Sequence, residues 1–312
     1  MPFALSCSKK AETGPVTTFI SPSLTANDQK AGEQSKNIYA TKTLDETPDK
    51  TINEPINQNG PKGEGDAAEN RTDVTNYSSV EPEDIEKLKK VFASLSDKCK
   101  NAIKNGDPEE FLKDLKAVLA DDKDDLLLLC DKTHYLPEGY APKDLVLLQK
   151  TPEYNVIKPN IYLRAPCIPS LTQMGADAAK QGITLLVSST YRSYDRQVEV
   201  YNRLVALDGQ EQADRESARP GTSQHQTGSV IDFGNIDSSF EETAPGKWLL
   251  KNAWKYGWSL SFPDGYEDVT GYRYECWHYR YIGKKACEFQ RLWFSDVQQF
   301  MLEFIDEWRK LS

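Results

Sequence analysis

Two short stretches of this sequence carry residue types that can do chemistry together. The first places His225 seven positions before Asp232, with Gly228 between them, and the second places Glu275 three positions before His278. The chain has three histidines, and these stretches use two of them. Two imidazoles and one carboxylate form a ligand set typical of a catalytic zinc ion, with a fourth position left open. Glu275 would then remain as the general base of a metal-assisted hydrolysis.

The backbone between the first two candidate ligands must bend for such a site to form. Side chains alternate along an extended strand, so residues seven apart on one straight strand face opposite sides of the sheet. The segment 226–228 is expected to supply the turn, because Gly228 can adopt a positive φ at no steric cost. Apolar neighbours on both sides of Asp232 place this acid on a half-buried strand.

The second acid–histidine pair needs a local bend or bulge as well, because an extended strand separates residues three apart. Each pair alone has a simpler interpretation. Asp232 could cap backbone groups at a strand end, and Glu275 and His278 could form an ordinary hydrogen-bonded couple. The presence of both pairs favours the joint metal site. The third histidine, His134, follows a leucine-rich run, which is more typical of a structural residue than of a ligand.

The composition limits the class of protein. The chain has 312 residues, of which 38% are hydrophobic, and its mean hydropathy is −0.65. These values indicate a sizeable solvated part besides a packed domain. The net charge of −10 argues against nucleic acid and against anionic membrane surfaces as partners. The longest apolar run, 126–130, is far shorter than the roughly 18 residues that a transmembrane helix needs.

Residues 1–82 are predicted to form a disordered linker. They are polar and lack periodicity, so they cannot bury enough apolar surface to offset an ordering cost of about 1–2 kcal/mol per residue. The apolar residues before Cys7 resemble the end of a lipoprotein signal peptide, without its basic region and full apolar segment. Either this is a truncated lipoprotein start with a lipid anchor at Cys7, or the cysteine is accidental. The other five cysteines show no metal-binding spacing and are expected to be buried free thiols.

The remaining chain is predicted to hold a helical hairpin over 83–125 and a compact domain over 126–312. In the hairpin, Ile85, Leu88 and Phe92 share one helical face, and Asp107 and Pro108 open a second helix. In the domain, 126–140 is predicted to be a buried strand or short helix, and 208–222 a polar loop. Helices are expected over 165–181, over 248–256 and from Ser295 onward, and strands over 183–187, 259–262 and 272–281.

With these elements in order, the chain resembles the VanY-type zinc D-alanyl-D-alanine carboxypeptidases, a group related to the VanX-type D,D-dipeptidases. The resemblance spans about residues 127–300 and is most specific in Ser-Gln-His-Gln-Thr-Gly at 223–228 and Tyr-Glu-Cys-Trp-His at 274–278. Further matching segments are 136–146, 189–193, 248–257 and 270–283. It implies an α+β fold in which helices flank a small, mainly antiparallel sheet, preceded here by the hairpin and the tether.

The resemblance also implies roles for individual residues. His225, Asp232 and His278 correspond to the ligands of one catalytic zinc ion. Glu275 corresponds to the general base, and Arg192 to the arginine beside the scissile carbonyl, where a fixed positive charge stabilises an oxyanion. Two more positions correspond, less specifically, to groups that contact the end of the peptide: Ser223 and Gln197.

The sequence departs from the family pattern beside these residues. Gln224 stands where glutamate is usual, Cys276 replaces a proline, and Ser261 and Phe262 replace an Arg-Tyr pair. None of the departures falls on an implied ligand, so they bear on substrate selectivity rather than on catalysis.

The expected function is removal of the C-terminal D-alanine from peptidoglycan stem peptides in the bacterial cell envelope, a D,D-carboxypeptidase reaction. One alternative is an L,D-carboxypeptidase that acts on tetrapeptide stems with the same residues. Another is a noncatalytic, zinc-stabilised module that binds cell-wall peptides. Such a module would need the three ligands but not Glu275 and Arg192, so the presence of both favours an enzyme.

Overall fold

The computed structural model describes residues 80–311. The predicted linker up to residue 79 and the expectation for Cys7 therefore lie outside the described residues. Within this range the helices are α1 (Pro82–Ser94), α2 (Asp97–Ala102), α3 (Pro108–Asp121), α4 (Ile168–Ala179), α5 (Tyr194–Asp208), α6 (Gln210–Glu216), α7 (Ala244–Asn252), α8 (Glu267–Thr270), α9 (Lys284–Trp293) and α10 (Gln298–Lys310). None of the described helices is long and apolar enough to cross a membrane.

Seven short strands form two sheets in the described region. The strands are β1 (Leu145–Leu147), β2 (Tyr154–Val156), β3 (Tyr162–Arg164), β4 (Leu185–Ser189), β5 (Val230–Phe233), β6 (Trp258–Leu260) and β7 (His278–Tyr281). The main sheet has the order β2-β4-β5-β7-β6, and β1 pairs with β3 separately. Only the β2–β4 pairing is parallel. The predicted α+β class with a small, mainly antiparallel sheet is therefore confirmed.

The residues of the central strand β5 show that the main sheet has one apolar face and one polar face. Ile231 and Phe233 are fully buried and share a core cluster with Leu171 of α4 and Leu249 of α7. Asp232 lies between these two residues, so strand alternation directs its carboxylate to the opposite side. The sheet therefore buries its apolar face under α4 and α7 and leaves the other face to polar side chains.

A second core joins the N-terminal helices to the C-terminal ones. Asp107 caps α3 by accepting a hydrogen bond from the Glu109 backbone at 3.0 Å, and Pro108 follows at the first helical position. Phe111 then packs within 5.1 Å of the Phe304 ring centroid and 5.2 Å of the Trp293 ring centroid. The predicted segments 83–125 and 126–312 thus share one core. A short third helix, α2, adds to the two helices predicted over 83–125.

The five cysteines of the described region are free and buried, as expected. The prediction of a buried strand or short helix over 126–140 is wrong, because these residues form neither. Arg280, which is completely buried, donates from Nη2 to the carbonyls of Leu126 and Leu128 at 2.8 and 2.7 Å. The Asp122 carboxylate accepts from the Leu126 backbone at 2.7 Å. Charged side chains thus satisfy backbone groups that a strand would pair with a neighbour.

Several other segments differ from the sequence-based prediction. The strand expected over 272–281 is present only over His278–Tyr281. The expected loop 208–222 contains α6, which begins after Gly209 at φ 81°. Only Ala213 is buried in this helix, so it lacks the apolar periodicity that would have revealed it. The helix α9 over Lys284–Trp293 was not predicted, and the last helix begins at Gln298 rather than Ser295.

Replacing Phe111 with alanine is expected to lower the free energy of unfolding by about 3–5 kcal/mol, because the ring is 4% exposed and its loss leaves a cavity. Chemical denaturation followed by circular dichroism measures the effect. Leu207→Ala is the control, since this side chain is 71% exposed and its removal should change stability by less than about 0.5 kcal/mol. Equal stability of both variants would show that the N-terminal helices are not part of the core.

Candidate metal centre and active site

Strand pairing brings two of the predicted ligands together. Asp232 of β5 is registered directly opposite His278 of β7 in an antiparallel pair. Residues in such positions have Cβ atoms about 4.5–5.5 Å apart and point to the same face of the sheet. That face is the polar one, and both side chains are buried, at 3% and 4% exposure.

A tight turn brings in the third predicted ligand. Residues Gln224–Thr227 form a short 3₁₀ turn that ends at Gly228, whose φ is 71° and whose N–H donates to the His225 carbonyl at 3.2 Å. A Cβ at this glycine would lie 2.9 Å from Arg164 Cγ and 3.0 Å from a Leu145 methyl carbon. The bend predicted from the sequence is therefore present, and Gly228 is required both by its backbone angle and by its close neighbours.

The three side chains converge on one point. His225 Nε2 lies 3.1 Å from Asp232 Oδ2, and His278 Nδ1 lies 3.1 Å from Asp232 Oδ1. One ligand atom from each residue falls within 4.8 Å of the others. Asp232 Oδ1 is buried and makes no hydrogen bond despite its short distance to His278. A shared cation would satisfy this oxygen, so the observed donor set fits a metal ion.

The far nitrogen of each imidazole is held by another group. His225 Nδ1 lies 2.6 Å from the Thr190 carbonyl, and His278 Nε2 lies 3.4 Å from Gln224 Oε1. A carbonyl can only accept, so these contacts leave His225 Nε2 and His278 Nδ1 unprotonated in the neutral rings. Those are the nitrogens that face Asp232. Second contacts of this kind commonly fix histidines that bind zinc, and two nitrogens with one carboxylate oxygen suit that metal.

The electrostatics of the site favour an ionised Asp232. Burial by itself would raise the pKa of this carboxyl, but His225 and His278 in their protonated, positively charged forms hold it well below its usual range. A carboxyl that stays ionised when buried is ready to bind a cation without first losing a proton.

Glu275 lies beside the candidate ligands at the predicted bend. The backbone N–H of His278 donates to the backbone carbonyl of Glu275 at 3.1 Å. This hydrogen bond closes a bend that brings Glu275 Oε2 to 3.4 Å from His278 Nδ1. The side chain lines the same cavity as the three ligands and is 8% exposed as a residue. Burial raises the pKa of Glu275 to about 7, with the nearby His278 opposing and Asp232 adding to the shift. A carboxyl with such a pKa can accept and return a proton near neutral pH.

Arg192 and Ser223 also line this cavity, but Gln197 does not. Gln197 is 0% exposed. Its Oε1 accepts from Arg192 Nη1 at 2.8 Å, and its Nε2 donates to Ser217 Oγ and to the Ala218 carbonyl. The expectation that Gln197 touches the peptide is therefore corrected, because its polar atoms are already used inside the protein. Its place in the structure is behind Arg192, which it orients.

The structure places His134 away from the site. His134 Nδ1 lies 2.8 Å from Asp131 Oδ1 near the protein surface, and this carboxylate also accepts from Gln299. The described region holds one group of three possible metal ligands, made by His225, Asp232 and His278. The prediction of a structural role for His134 agrees with this position.

Some residues of the site were not found by sequence reasoning. Gln224 was noted only as a departure from a pattern, although it contacts His278. Arg273 and Glu216 line the cavity but lie outside the two motifs, in a segment without regular structure and at the end of the unpredicted helix α6. Arg273 lies two positions from Glu275 and inside the matching segment 270–283, and this placement was the available signal.

The known proteins to which this chain is similar are carboxypeptidases. A family model described as VanY, D-alanyl-D-alanine carboxypeptidase, matches residues 160–284. The putative carboxypeptidase YodJ of Bacillus subtilis (strain 168) is 36% identical over 189 residues, which cover 57% of this chain and 69% of that protein. The D-alanyl-D-alanine carboxypeptidase of Enterococcus faecium is 33% identical over 163 residues, which cover 50% of this chain and 51% of that protein.

A solved structure is similar as well. The LdcB LD-carboxypeptidase, whose structure is described as revealing the molecular basis of peptidoglycan recognition, matches with a TM-score of 0.52 and 35% sequence identity. The match covers 59% of this chain and 87% of that chain. The matched share of this chain is thus similar in the sequence and structure comparisons.

Proposed function

We propose an activity for this protein on the ground that it belongs to the VanY family of D-alanyl-D-alanine carboxypeptidases. The family and the enzyme class expected from the sequence are confirmed. The zinc dependence is part of the proposal, and the donor set of the site supports it. The proposed reaction is hydrolysis of the last peptide bond of peptidoglycan stem peptides, with release of the C-terminal D-alanine. The proposed ligands of one zinc ion are His225, Asp232 and His278.

The observation that carries this proposal is the position of Glu275 beside three buried residues that can share one cation. A bound zinc ion would polarise a carbonyl group and lower the pKa of water to near 7. Glu275 would accept a proton from the attacking water and pass it to the leaving amine. A module that only binds cell-wall peptide would not need a buried carboxyl beside the three proposed ligands in the same cavity.

Arg192 is proposed to stabilise the negative charge that develops on the carbonyl oxygen. Its backbone N–H donates to the His225 carbonyl at 3.1 Å, so the arginine and a proposed ligand are held in one unit. Gln197 fixes one end of the guanidinium from behind, at 2.8 Å. A donor fixed before the reaction begins stabilises the transition state without a reorganisation cost. Ser223 remains a proposed contact of the peptide, since it lines the cavity.

Arg192→Ala is expected to lower kcat by about 10²–10³-fold, as for other hydrolases that lose one oxyanion donor. Zinc content should stay at the wild-type level, because Arg192 is not among the proposed ligands. Steady-state hydrolysis of a defined pentapeptide and metal analysis of the same samples check this. Arg192→Lys, which keeps the charge, should recover part of the loss. If kcat remains unchanged in the alanine variant, the charge must be stabilised by another group.

The stereochemistry of the scissile bond is the main choice within this reaction. The family description and the Enterococcus relative support the D,D-reaction on pentapeptides. The similarity to an LD-carboxypeptidase supports the L,D-reaction on tetrapeptides as a second candidate. Incubating the full chain with defined penta- and tetrapeptide stems, with and without a chelator, tests both. Mass spectrometry of the products identifies which peptide loses its last residue, and release that survives the chelator would contradict a metallopeptidase.

The substrate also implies where the protein works. Stem peptides belong to the cell wall, so we place the protein in the bacterial envelope, with peptidoglycan as its partner. Attachment through a lipid on Cys7 stays a prediction.

A further inference from the structure

Two arginines line the catalytic cavity, and they use their donors differently. Arg192 donates to Gln197, as described above. Arg273 lies in the segment that leads to Glu275, and its Nε is buried without any hydrogen-bond partner among the described residues. Its ion-pair partner, Glu216, has Oε1 at 3.8 Å from this Nε, which is too long for a hydrogen bond. Arg273 therefore keeps a donor that the protein itself does not satisfy.

An aromatic ring nevertheless supports the Arg273 side chain, which is 37% exposed. Its guanidinium lies 5.5 Å from the centroid of the Trp277 ring, a distance suited to a cation–π contact. Trp277 is 3% exposed and belongs to the core around the main sheet. Glu216 Oε1, in turn, accepts from Gln212 Nε2 at 2.5 Å. Arg273 is thus supported by the buried Trp277 ring, while Glu216 accepts a hydrogen bond from Gln212 rather than from Arg273.

The charges of the cavity show what this donor can bind. Three carboxylates line it, from Glu216, Asp232 and Glu275, against two guanidinium groups, from Arg192 and Arg273. An anionic peptide entering such a cavity needs a cation that is not already assigned to the reacting carbonyl. A guanidinium recognises a carboxylate through two parallel hydrogen bonds, and this geometry suits an arginine with a free Nε.

We infer that Arg273 binds a carboxylate of the peptide substrate, separate from the carbonyl group that is hydrolysed. This inference rests on the proposed peptidase function. Two carboxylates have the required chemistry: the C-terminal one of the peptide, and a side-chain carboxylate of an internal stem residue. Binding either carboxylate would give the buried Nε of Arg273 a hydrogen-bond acceptor and replace the long ion pair with Glu216. Arg273 is then a specificity-determining residue that selects for acidic peptides.

The test measures peptide binding by calorimetry with the zinc-loaded full chain carrying Glu275→Gln, which does not consume the peptide. Four peptides are compared: with a free or amidated C-terminus, and with or without a side-chain carboxylate on the internal residue. Adding Arg273→Gln should weaken binding by about 10- to 100-fold for peptides that carry the recognised carboxylate. Peptides that lack this group should bind as they do to the Glu275→Gln protein, and zinc content should not change. The two peptides that lose affinity share the carboxylate that Arg273 binds.

Two controls separate substrate binding from a structural ion pair. Arg215→Gln removes an arginine that pairs with Glu267 outside the cavity and should leave all affinities unchanged. Glu216→Gln removes the acid beside Arg273. If the pair were only structural, Glu216→Gln and Arg273→Gln would have equal effects. We expect instead that Glu216→Gln keeps or improves the affinity for the carboxylate peptide.

Three results would overturn the inference. They are equal loss for all four peptides, no loss for any of them, and no peptide binding to the starting protein. The proposed function is judged separately from hydrolysis by the wild-type chain. A wild-type chain that hydrolyses no stem peptide, with carboxylate-dependent binding through Arg273 intact, would refute the reaction and leave the binding role standing.

Discussion

Glu275→Gln is expected to reduce hydrolysis of the stem peptide by about 10²–10⁴-fold, the range typical of a lost general acid–base group. Glutamine has nearly the same shape but cannot take the proton of the attacking water. The zinc content should stay near one ion per chain, because the three proposed ligands are untouched. Single-turnover hydrolysis measured by mass spectrometry, together with metal analysis of the same protein, tests both statements.

The control for this variant is Glu199→Gln, which removes an exposed carboxylate paired with Arg196 on α5 and should keep full activity. Two outcomes would contradict the assignment. Full activity in Glu275→Gln would place the base elsewhere in the cavity. Loss of zinc from the same variant would make Glu275 a ligand, a role that its 3.4 Å distance to His278 Nδ1 makes worth checking.

His225→Ala is expected to lower the affinity for zinc by more than the roughly 10–100-fold that follows loss of a residue supporting a ligand. The substitution removes one of the three proposed ligand atoms. It also leaves the buried Asp232 carboxylate with one fewer neighbouring group to stabilise its charge. Hydrolysis should fall in proportion to the zinc lost. Equilibrium dialysis against buffered zinc, followed by metal analysis, gives the affinity.

The matched control is His134→Ala, because this third histidine also lies beside a carboxylate, at 2.8 Å from Asp131, but outside the cavity. Zinc affinity should not change in this variant. Zinc retained at wild-type affinity by His225→Ala, or lost from His134→Ala, would refute the proposed metal centre.

The convergence of His225 and Asp232 could be anticipated because its cause is local. The distance along the chain is short, strand alternation is regular, and Gly228 marks the turn that joins them. The pairing of Asp232 with His278 depends on the register between β5 and β7. Spacing within either stretch does not contain this register, so the sequence could indicate that the two pairs share one metal site but not which residues lie opposite each other.

The errors have similar physical reasons. Gln197 occupies a position that the family pattern marks as part of the site, but sequence does not show that its amide points into the protein toward Ser217 and Ala218. The run 126–130 has the composition of a strand, and its backbone is held by Arg280, more than 150 positions away. Long-range contacts of charged side chains leave no periodic pattern in the sequence.

The core shared by the first and last described helices has a consequence for biosynthesis. The ribosome makes α1–α3 long before α9 and α10, and the Cys99 thiol meets the Phe300 carbonyl across 201 positions at 3.5 Å. Contacts that join distant positions form slowly, since the intervening loop must close first. The early helices therefore keep part of their apolar faces uncovered until α10 has been translated. A chain released before α10 is made would lack the contact between Phe111 and Phe304. Its exposed apolar residues would make it a substrate for quality-control proteases.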